Sequence, residues 1–356
     1  MNETASAGRT AGVLGASGYA GAELLRLLAR HPDLEVTWAT GDSTAHQAVA
    51  ARYPGLTAAY GELTFRSLEE GLEKGADVLF LALPHGRAAA VAPRVLDSAS
   101  VVVDLSADFR LRDPAAYPVW YGAEHPHPEE LGAWPYGLPE LYREELRGAA
   151  KVAVPGCYPT AALLALAPLL AAGLIEPEGI VVDAKSGITG AGRSLKDAYL
   201  FAQVNESVTP YGVGSHRHTP EIEQELARAA GRPLAISFTP HLVPLSRGLL
   251  ATCYATLAPG AGDEELAACY QEAYGDEPFI DLVGPGTPAS WPATRAVATT
   301  NRAQVAAVAD RRSGRAVAAA AIDNLVKGAA GQALQCANLA LGLPETTGLD
   351  LVPPVP

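Results

Sequence analysis

Three glycines, Gly15-x-x-Gly18-x-x-Gly21, leave this chain few folds to choose from. They sit between the apolar stretch Ala11–Leu14 and the leucine-rich stretch Ala22–Arg30. Glycines at this spacing allow a tight strand-to-helix turn and let the backbone approach a pyrophosphate. The free N–H groups and positive end of the following helix then attract it. The next residues keep the rhythm. Apolar strands at Leu34–Thr40, Ala76–Leu83 and Ser100–Leu105 alternate with helical segments at Ser67–Gly75 and Arg87–Ser98. That alternation predicts a parallel sheet covered on both faces. A dinucleotide site is therefore expected in the first half, with Gly15, Ser17, Gly18, Tyr19 and Gly21 in its glycine turn.

A chain of 356 residues favours two domains. Its 49% hydrophobic and 18% charged content supplies full cores and excludes a disordered chain. The formal net charge of −13 opposes nucleic-acid and anionic-membrane partners except at a local basic patch. A small anionic substrate remains compatible, because a pocket can be locally positive. The run Ala161–Ile175 contains Pro168 and is shorter than the ~20 residues that span a bilayer. The N-terminus, MNETASAGRT, has no apolar core of a secretory signal, so a soluble cytoplasmic protein is expected, with residues 1–9 as a disordered tail. Cys157, Cys253, Cys269 and Cys336 lie far apart with no C-x-x-C pair, which predicts neither a metal site nor a disulfide framework.

Residues 108–148 form a long excursion rich in proline and aromatics, and Lys151–Val154 is a short strand. The rhythm changes after Pro155. A long apolar helix is expected from Thr160, with further helices at Pro220–Ala230 and Glu264–Tyr274. Strands are expected at Gly179–Ala184, 234–243, 248–257, 278–283, 295–300, 303–310 and 315–322. Consecutive strands with few crossovers predict a mixed or antiparallel sheet with helices on one face. Asp323–Gly342 reads as a last amphipathic helix that returns to the first domain.

Cys157 lies in Pro155-Gly-Cys-Tyr-Pro159, between a strand and the long apolar helix. A thiol at a helix N-terminus has its thiolate favoured by the dipole and free N–H groups, and the same groups stabilise an oxyanion on a carbonyl bound to sulfur. The other three cysteines lie in apolar strands or helices and read as core. A reactive thiolate beside a nicotinamide implies attack on an activated acyl group, a thioester, and hydride reduction to an aldehyde. His216 and His218, in Ser215-His-Arg-His-Thr-Pro-Glu221, are candidates for the proton shuttle, and Glu221 for orienting either one. If that segment is extended, both imidazoles face the same way.

Three loops complete the candidate site. Gly187-Ile-Thr-Gly-Ala-Gly-Arg193 is a second glycine-rich loop that suits a phosphate or carboxylate. Arg110 follows the Ser100–Leu105 strand at the sheet edge where ligands bind, and Pro84-His85-Gly86 occupies the matching edge after its neighbour. After the second strand comes Thr40-Gly-Asp-Ser43. Ser43 and Thr44 suit a 2′-phosphate while Asp42 repels one, and Arg52 lies a little further on, so the residues leave NADP and NAD both open.

Together these pieces resemble the N-acetyl-gamma-glutamyl-phosphate reductases of arginine biosynthesis. The resemblance runs from about residue 11 to 349 and rests on GASGYAGAELLRLL (15–28), ALPHG (82–86), VDLSADFRL (103–111), YGLPEL (136–141), VPGCYPTAALLALAPL (154–169), KSGITGAGR (185–193), HRHTPEI (216–222) and DNLVKGAAGQALQ (323–335). It implies an α/β Rossmann-type parallel-sheet domain at 10–155 and an α+β domain with a mixed sheet at 156–322, as in glyceraldehyde-phosphate and aspartate-semialdehyde dehydrogenases. The second domain would hold catalysis, substrate and dimerisation, and 323–356 would pack back on the first. The activity implied is NADPH-dependent reduction of N-acetyl-L-glutamyl 5-phosphate to the 5-semialdehyde by a homodimer or homotetramer. The catalytic cysteine falls on Cys157 and the histidine motif on His216 and His218. Ser43, Pro84, His85, Gly86, Gly190 and Asn324 join the glycine turn as expected cofactor contacts. Arg110, Ser186, Gly187, Arg193 and Glu221 are the expected substrate contacts. Three other readings stay open: a reductase of carrier-protein-linked aminoadipyl or glutamyl phosphate, an aspartate-type semialdehyde dehydrogenase, and a nicotinamide-sensing binding protein.

Overall fold

The computed structural model describes residues 8–355. The chain divides into two compact units. One holds the residues up to Pro114, with Glu124–Pro155 and Ala329–Asp350; the other holds Ala115–Ala123, Gly156–Gly328 and the residues from Leu351.

The first unit is built on β1 (Arg9–Leu14), β2 (Leu34–Thr40), β3 (Phe65–Arg66), β4 (Ala76–Leu81), β5 (Ala99–Asp104) and β6 (Lys151–Ala153). They form one sheet in the order β3-β2-β1-β4-β5-β6, and every pairing is parallel. The order reverses between β1 and β4, and ligands of such sheets bind outside the strand ends at that crevice. Val78–Leu81 and Val101–Val103 are buried without a break, which explains why these runs are continuously apolar rather than alternating. The main helices are α1 (Tyr19–Leu28), α2 (Arg87–Val95) and α3 (Pro139–Leu146). Leu14, Leu79, Leu81 and Val102 lie at the centre of the core, and Phe109 stacks on Trp134 with centroids 4.1 Å apart. Of the tail expected at 1–9, residues 1–7 lie outside the described residues, and Arg9 already pairs with Leu34 in β1.

The second unit has a seven-stranded sheet in the order β11-β12-β13-β10-β7-β9-β8. Its strands are β7 (Ile180–Gly187), β8 (Thr209–Pro210), β9 (Ile236–Val243), β10 (Leu249–Thr256), β11 (Ile280–Leu282), β12 (Ala303–Asp310) and β13 (Arg315–Ile322). β7 runs parallel to β9 and β11 to β12, while the other pairings are antiparallel, so the sheet is mixed. On β7 buried residues alternate with half-buried ones, as expected of a sheet covered mainly on one side. The covering helices are α4 (Cys157–Ala171), α5 (Thr219–Ala230) and α6 (Asp263–Tyr274). α4 has no polar face, because Tyr158–Leu170 are all buried. Pro168 cannot donate to the carbonyl of Leu164 four residues earlier. The Tyr274 hydroxyl donates to it instead, at 2.9 Å.

Two segments differ from the sequence reading. Residues 295–300 are not a strand: Thr294–Val297 is helical, and Thr299 takes a left-handed φ of +62°. Its N–H donates to the buried carboxylate of Asp323 at 2.7 Å, a tertiary contact that overrides the β preference of Val297, Thr299 and Thr300. Asp323–Gly342 is not one amphipathic helix. Asp323 and Asn324 stay in the second unit, Val326–Ala330 makes a π-helical turn, and α7 (Gly331–Ala340) is buried at every position. No helix among the described residues is long and apolar enough to cross a membrane.

Candidate active site

The glycine turn of the first unit can be tested for a bound dinucleotide, residue by residue. Gly15 has a φ of +80°, and a side chain there would collide with the carbonyl of Ala82. Gly21 lies against Ala16, where a Cβ would come 2.5 Å from its Cα. Protein packing therefore dictates both. Gly18 is different: a Cβ there would meet only the Gly15 carbonyl oxygen, at 3.6 Å. Packing does not require Gly18 to be glycine, whereas close approach of a pyrophosphate does. Gly18 is also the N-cap of α1 and supplies no side-chain cap, which suits that helix start to an anion. These residues fit a dinucleotide.

Next to this turn, Asp108 holds the Pro84–Gly86 loop. Its carboxylate accepts the N–H groups of Gly86 (2.7 Å) and Ala89 (2.8 Å), and lies 2.5 Å from Nδ1 of His85. Burial opposes its charge, but these donors prevail and hold its pKa below the ordinary carboxylate value. Its neighbour Asp104 goes the other way: burial, then the charge of Asp108, pushes it up to about 7. Arg110 is nearly buried, with Nε donating to the Val154 carbonyl (2.7 Å) and Nη2 to that of Leu105 (2.9 Å). Those two bonds tie the ends of β5 and β6 together. Ser43 is exposed. After β2, Thr44 Oγ1 and Arg52 Nε are buried and make no hydrogen bond among the described residues.

In the second unit Cys157 is the first residue of α4 and is partly exposed. Cys253 and Cys336 are fully buried, and burial pushes the Cys253 thiol up to about 12. Burial also raises Cys269. Three residues surround the start of α4. The π-helical turn passes so close that a Cβ on Gly328 would lie 2.7 Å from that of Cys157. The His218 ring lies on Gly156, where a Cβ would come 2.5 Å from its Nε2. Glu221, with no exposed surface, accepts the Gly156 N–H at 2.8 Å.

The two histidines are not equivalent. The segment is a turn rather than extended, and the rings pack edge to face at 4.8 Å. His216 Nδ1 accepts the backbone N–H of His218 at 3.1 Å. The rings of Tyr158, Tyr211 and Phe238 surround His216 at 5.3–5.7 Å. Burial, with a smaller push from the Arg217 charge, lowers its pKa to about 4, so His216 is neutral near pH 7.

The loop after β7 is braced from behind. Asn324 Oδ1 accepts the Gly248 N–H (2.8 Å), and its Nδ2 donates to Thr189 Oγ1 (3.0 Å). Gly187 packs against the backbone of Leu245–Arg247, and a Cβ on Gly190 would lie 2.7 Å from Ser186 Oγ. Ser186 is buried and Arg193 exposed. Asn324, expected among the cofactor contacts, thus links the loop after β7 to the residue that precedes β10. Sequence reasoning missed Gly156, the aromatic cage of His216 and the role of Asp108. Only for Gly156 was there a signal, its place directly before Cys157.

Two family models match: "Semialdehyde dehydrogenase, NAD binding domain" over residues 10–149 and "Semialdehyde dehydrogenase, dimerisation domain" over 157–324. The fold agrees. Aspartate semialdehyde dehydrogenase II from Vibrio cholerae superposes with a TM-score of 0.71 at 17% identity, covering 95% of this chain and 99% of that one. The NADP complex of the Candida albicans aspartate semialdehyde dehydrogenase gives 0.67 at 16%, covering 94% and 100%. The chain belongs to the semialdehyde dehydrogenase family of oxidoreductases. Within it, the chain is similar to proteins named N-acetyl-gamma-glutamyl-phosphate reductase. It is 50% identical to that of Moorella thermoacetica over 96% of this chain and 98% of the relative. It is 51% identical to that of Desulforudis audaxviator over 95% and 97%.

Proposed function

We propose that this protein reduces N-acetyl-L-glutamyl 5-phosphate to N-acetyl-L-glutamate 5-semialdehyde, with NADPH as the reductant and a thioester on Cys157 as the intermediate. One observation carries the reading: Cys157 opens α4 partly exposed, one residue from the glycine on which the His218 ring lies. Relatives about 50% identical over nearly the whole chain carry the name of that activity.

The Cys157 thiolate attacks the acyl carbon; the C–S bond forms, and the C–O bond to phosphate breaks with its electron pair leaving on inorganic phosphate. The N–H groups at the start of α4, which have no side-chain cap, are the donors for the oxyanion. A bound NADPH supplies the hydride that reduces the thioester. His218 gives a proton to the resulting thiohemiacetal oxygen and takes it back as the C–S bond breaks, which releases the aldehyde and regenerates the thiolate. Arg193, exposed at the end of the loop after β7, is the contact for a substrate anion, while Ser186 and Gly187 shape that loop. NADP rather than NAD is supported by Arg52 Nε and Thr44 Oγ1, donors after β2 that have no protein partner among the described residues. Asp42 works against it, so the preference is expected to be moderate.

The test is phosphate-dependent NADP+ reduction with N-acetylglutamate 5-semialdehyde. NAD+ is expected to react more slowly, and aspartate semialdehyde at least about 100-fold more slowly, since it lacks groups the pocket binds. Preference for the aspartate compound, or reduction that ignores phosphate, would overturn the assignment.

The protein acts as a homodimer or homotetramer in the cytoplasm, where its free thiol stays reduced. The description of the second family model and the exposure of Leu195 (92%) and Phe201 (78%) support self-association. Sedimentation should give a dimer or larger, with Phe201→Glu shifted toward smaller species. A monomer at micromolar concentration removes this part of the reading.

A further inference from the structure

Gly156 is held on three sides. Its carbonyl accepts the N–H of Thr160 (2.9 Å) and the Thr160 hydroxyl (3.0 Å). Its N–H goes to Glu221 at 2.8 Å, and its α-carbon face is covered by the His218 ring. The last two holds come from one turn. His218 is the N-cap of α5 and Glu221 is the third residue of that helix, and the His218 carbonyl accepts the N–H of Ile222 at 3.0 Å. A carboxylate with no exposed surface is costly to bury, and a backbone N–H is among the groups that offset the cost. Glu221, offered by the sequence as a substrate contact or as the group that orients a histidine, is here fully buried and bonded to the Gly156 N–H.

We infer that Glu221 is a positioning residue: it braces the turn that carries Cys157 to the turn that carries His218 and so fixes the spacing of thiol and imidazole. The contact that makes the brace is a hydrogen bond accepted from the Gly156 N–H. It needs an acceptor at the reach of a Glu side chain, which glutamine also supplies. Aspartate keeps the charge but falls one methylene short. This inference rests on the proposed role of Cys157 and His218, and its main readout needs neither substrate nor cofactor.

The experiment compares Glu221→Gln, Glu221→Asp and Glu221→Leu in the full chain. Two rates are measured: alkylation of Cys157 by iodoacetamide, and steady-state reduction resolved into kcat and KM. Circular dichroism melting reports on the fold. Glu221→Gln is expected within about threefold of the native protein in both. Glu221→Asp and Glu221→Leu should lose about 100-fold in kcat with KM little changed, the cost of displacing a reacting group by about an ångström. Their alkylation rates should fall in parallel. If Glu221→Leu fails to fold, the Gln–Asp pair alone decides. Glutamine as impaired as aspartate, or aspartate intact, overturns the brace. Loss of reductase activity with an unchanged order of alkylation rates would count against the assigned reaction and not against the brace.

Discussion

Cys157→Ser is expected to abolish reduction, by more than about 10⁴-fold, while dinucleotide affinity stays within a few-fold. The asymmetry follows from where the two functions sit. The glycine turn and the Pro84–Gly86 loop belong to the first unit, and Cys157 opens α4 in the second. Serine fits the space of cysteine, so the close contact with Gly328 is kept and the fold should not change. The chemistry does change. An unperturbed thiol titrates near pH 8.5, and a thiolate at a helix start is further favoured; a serine hydroxyl offers almost no anion at neutral pH. Reduction measured with acyl phosphate and binding measured by NADPH fluorescence separate the two effects. Iodoacetamide should label Cys157 first in the native protein, because Cys253 and Cys336 are buried and burial raises Cys269. Normal turnover by the serine variant would end the covalent mechanism.

The sequence carried the first unit well because its signals are local. A parallel strand buried on both faces needs an unbroken apolar run, and the glycine turn needs its three residues in fixed places. Cys157 and the His216–His218 pair stood out for the same reason, as reactive residue types beside a helix start, but nothing local told the two imidazoles apart. What was not legible depends on partners far along the chain. Val297–Thr300 has the composition of a strand, and only the Asp323 carboxylate, more than twenty residues on, shows why it turns instead. In α7 the polar residues suggested a wet face, yet Gln332, Gln335 and Asn338 are all buried. Gln335 donates to Glu140 (3.2 Å), and Asn338 to the carbonyl of Thr347 (2.9 Å). Nothing in the sequence tied Glu221 to Gly156, sixty-five positions away, whose N–H it accepts. Hydrogen-bond partners of this kind leave no periodic trace. The site is therefore readable as a set of reactive groups but not as the framework that aims them.

That framework separates the two histidines, and the second large effect follows from it. His218→Asn should lower kcat by about 10²–10⁴-fold with little change in KM, the usual range for losing a positioned proton-transfer group. His216→Asn should cost less than about tenfold. His216 is neutral well above pH 4, so it is not an imidazolium acid in the physiological range. What it supplies is an acceptor for the His218 N–H and a ring inside the cage of Tyr158, Tyr211 and Phe238. An asparagine carbonyl replaces that acceptor. His218 is not replaceable in this way, because its ring on Gly156 is the imidazole held beside the residue that bears the sulfur. The pH profile sharpens the contrast. His216→Asn should keep the limb of kcat/KM that reports the proton-transfer group, and His218→Asn should flatten it. Equal losses in the two variants would show that the imidazoles share the proton. A larger loss at His216 would mean that its burial serves some purpose other than holding its neighbour in place.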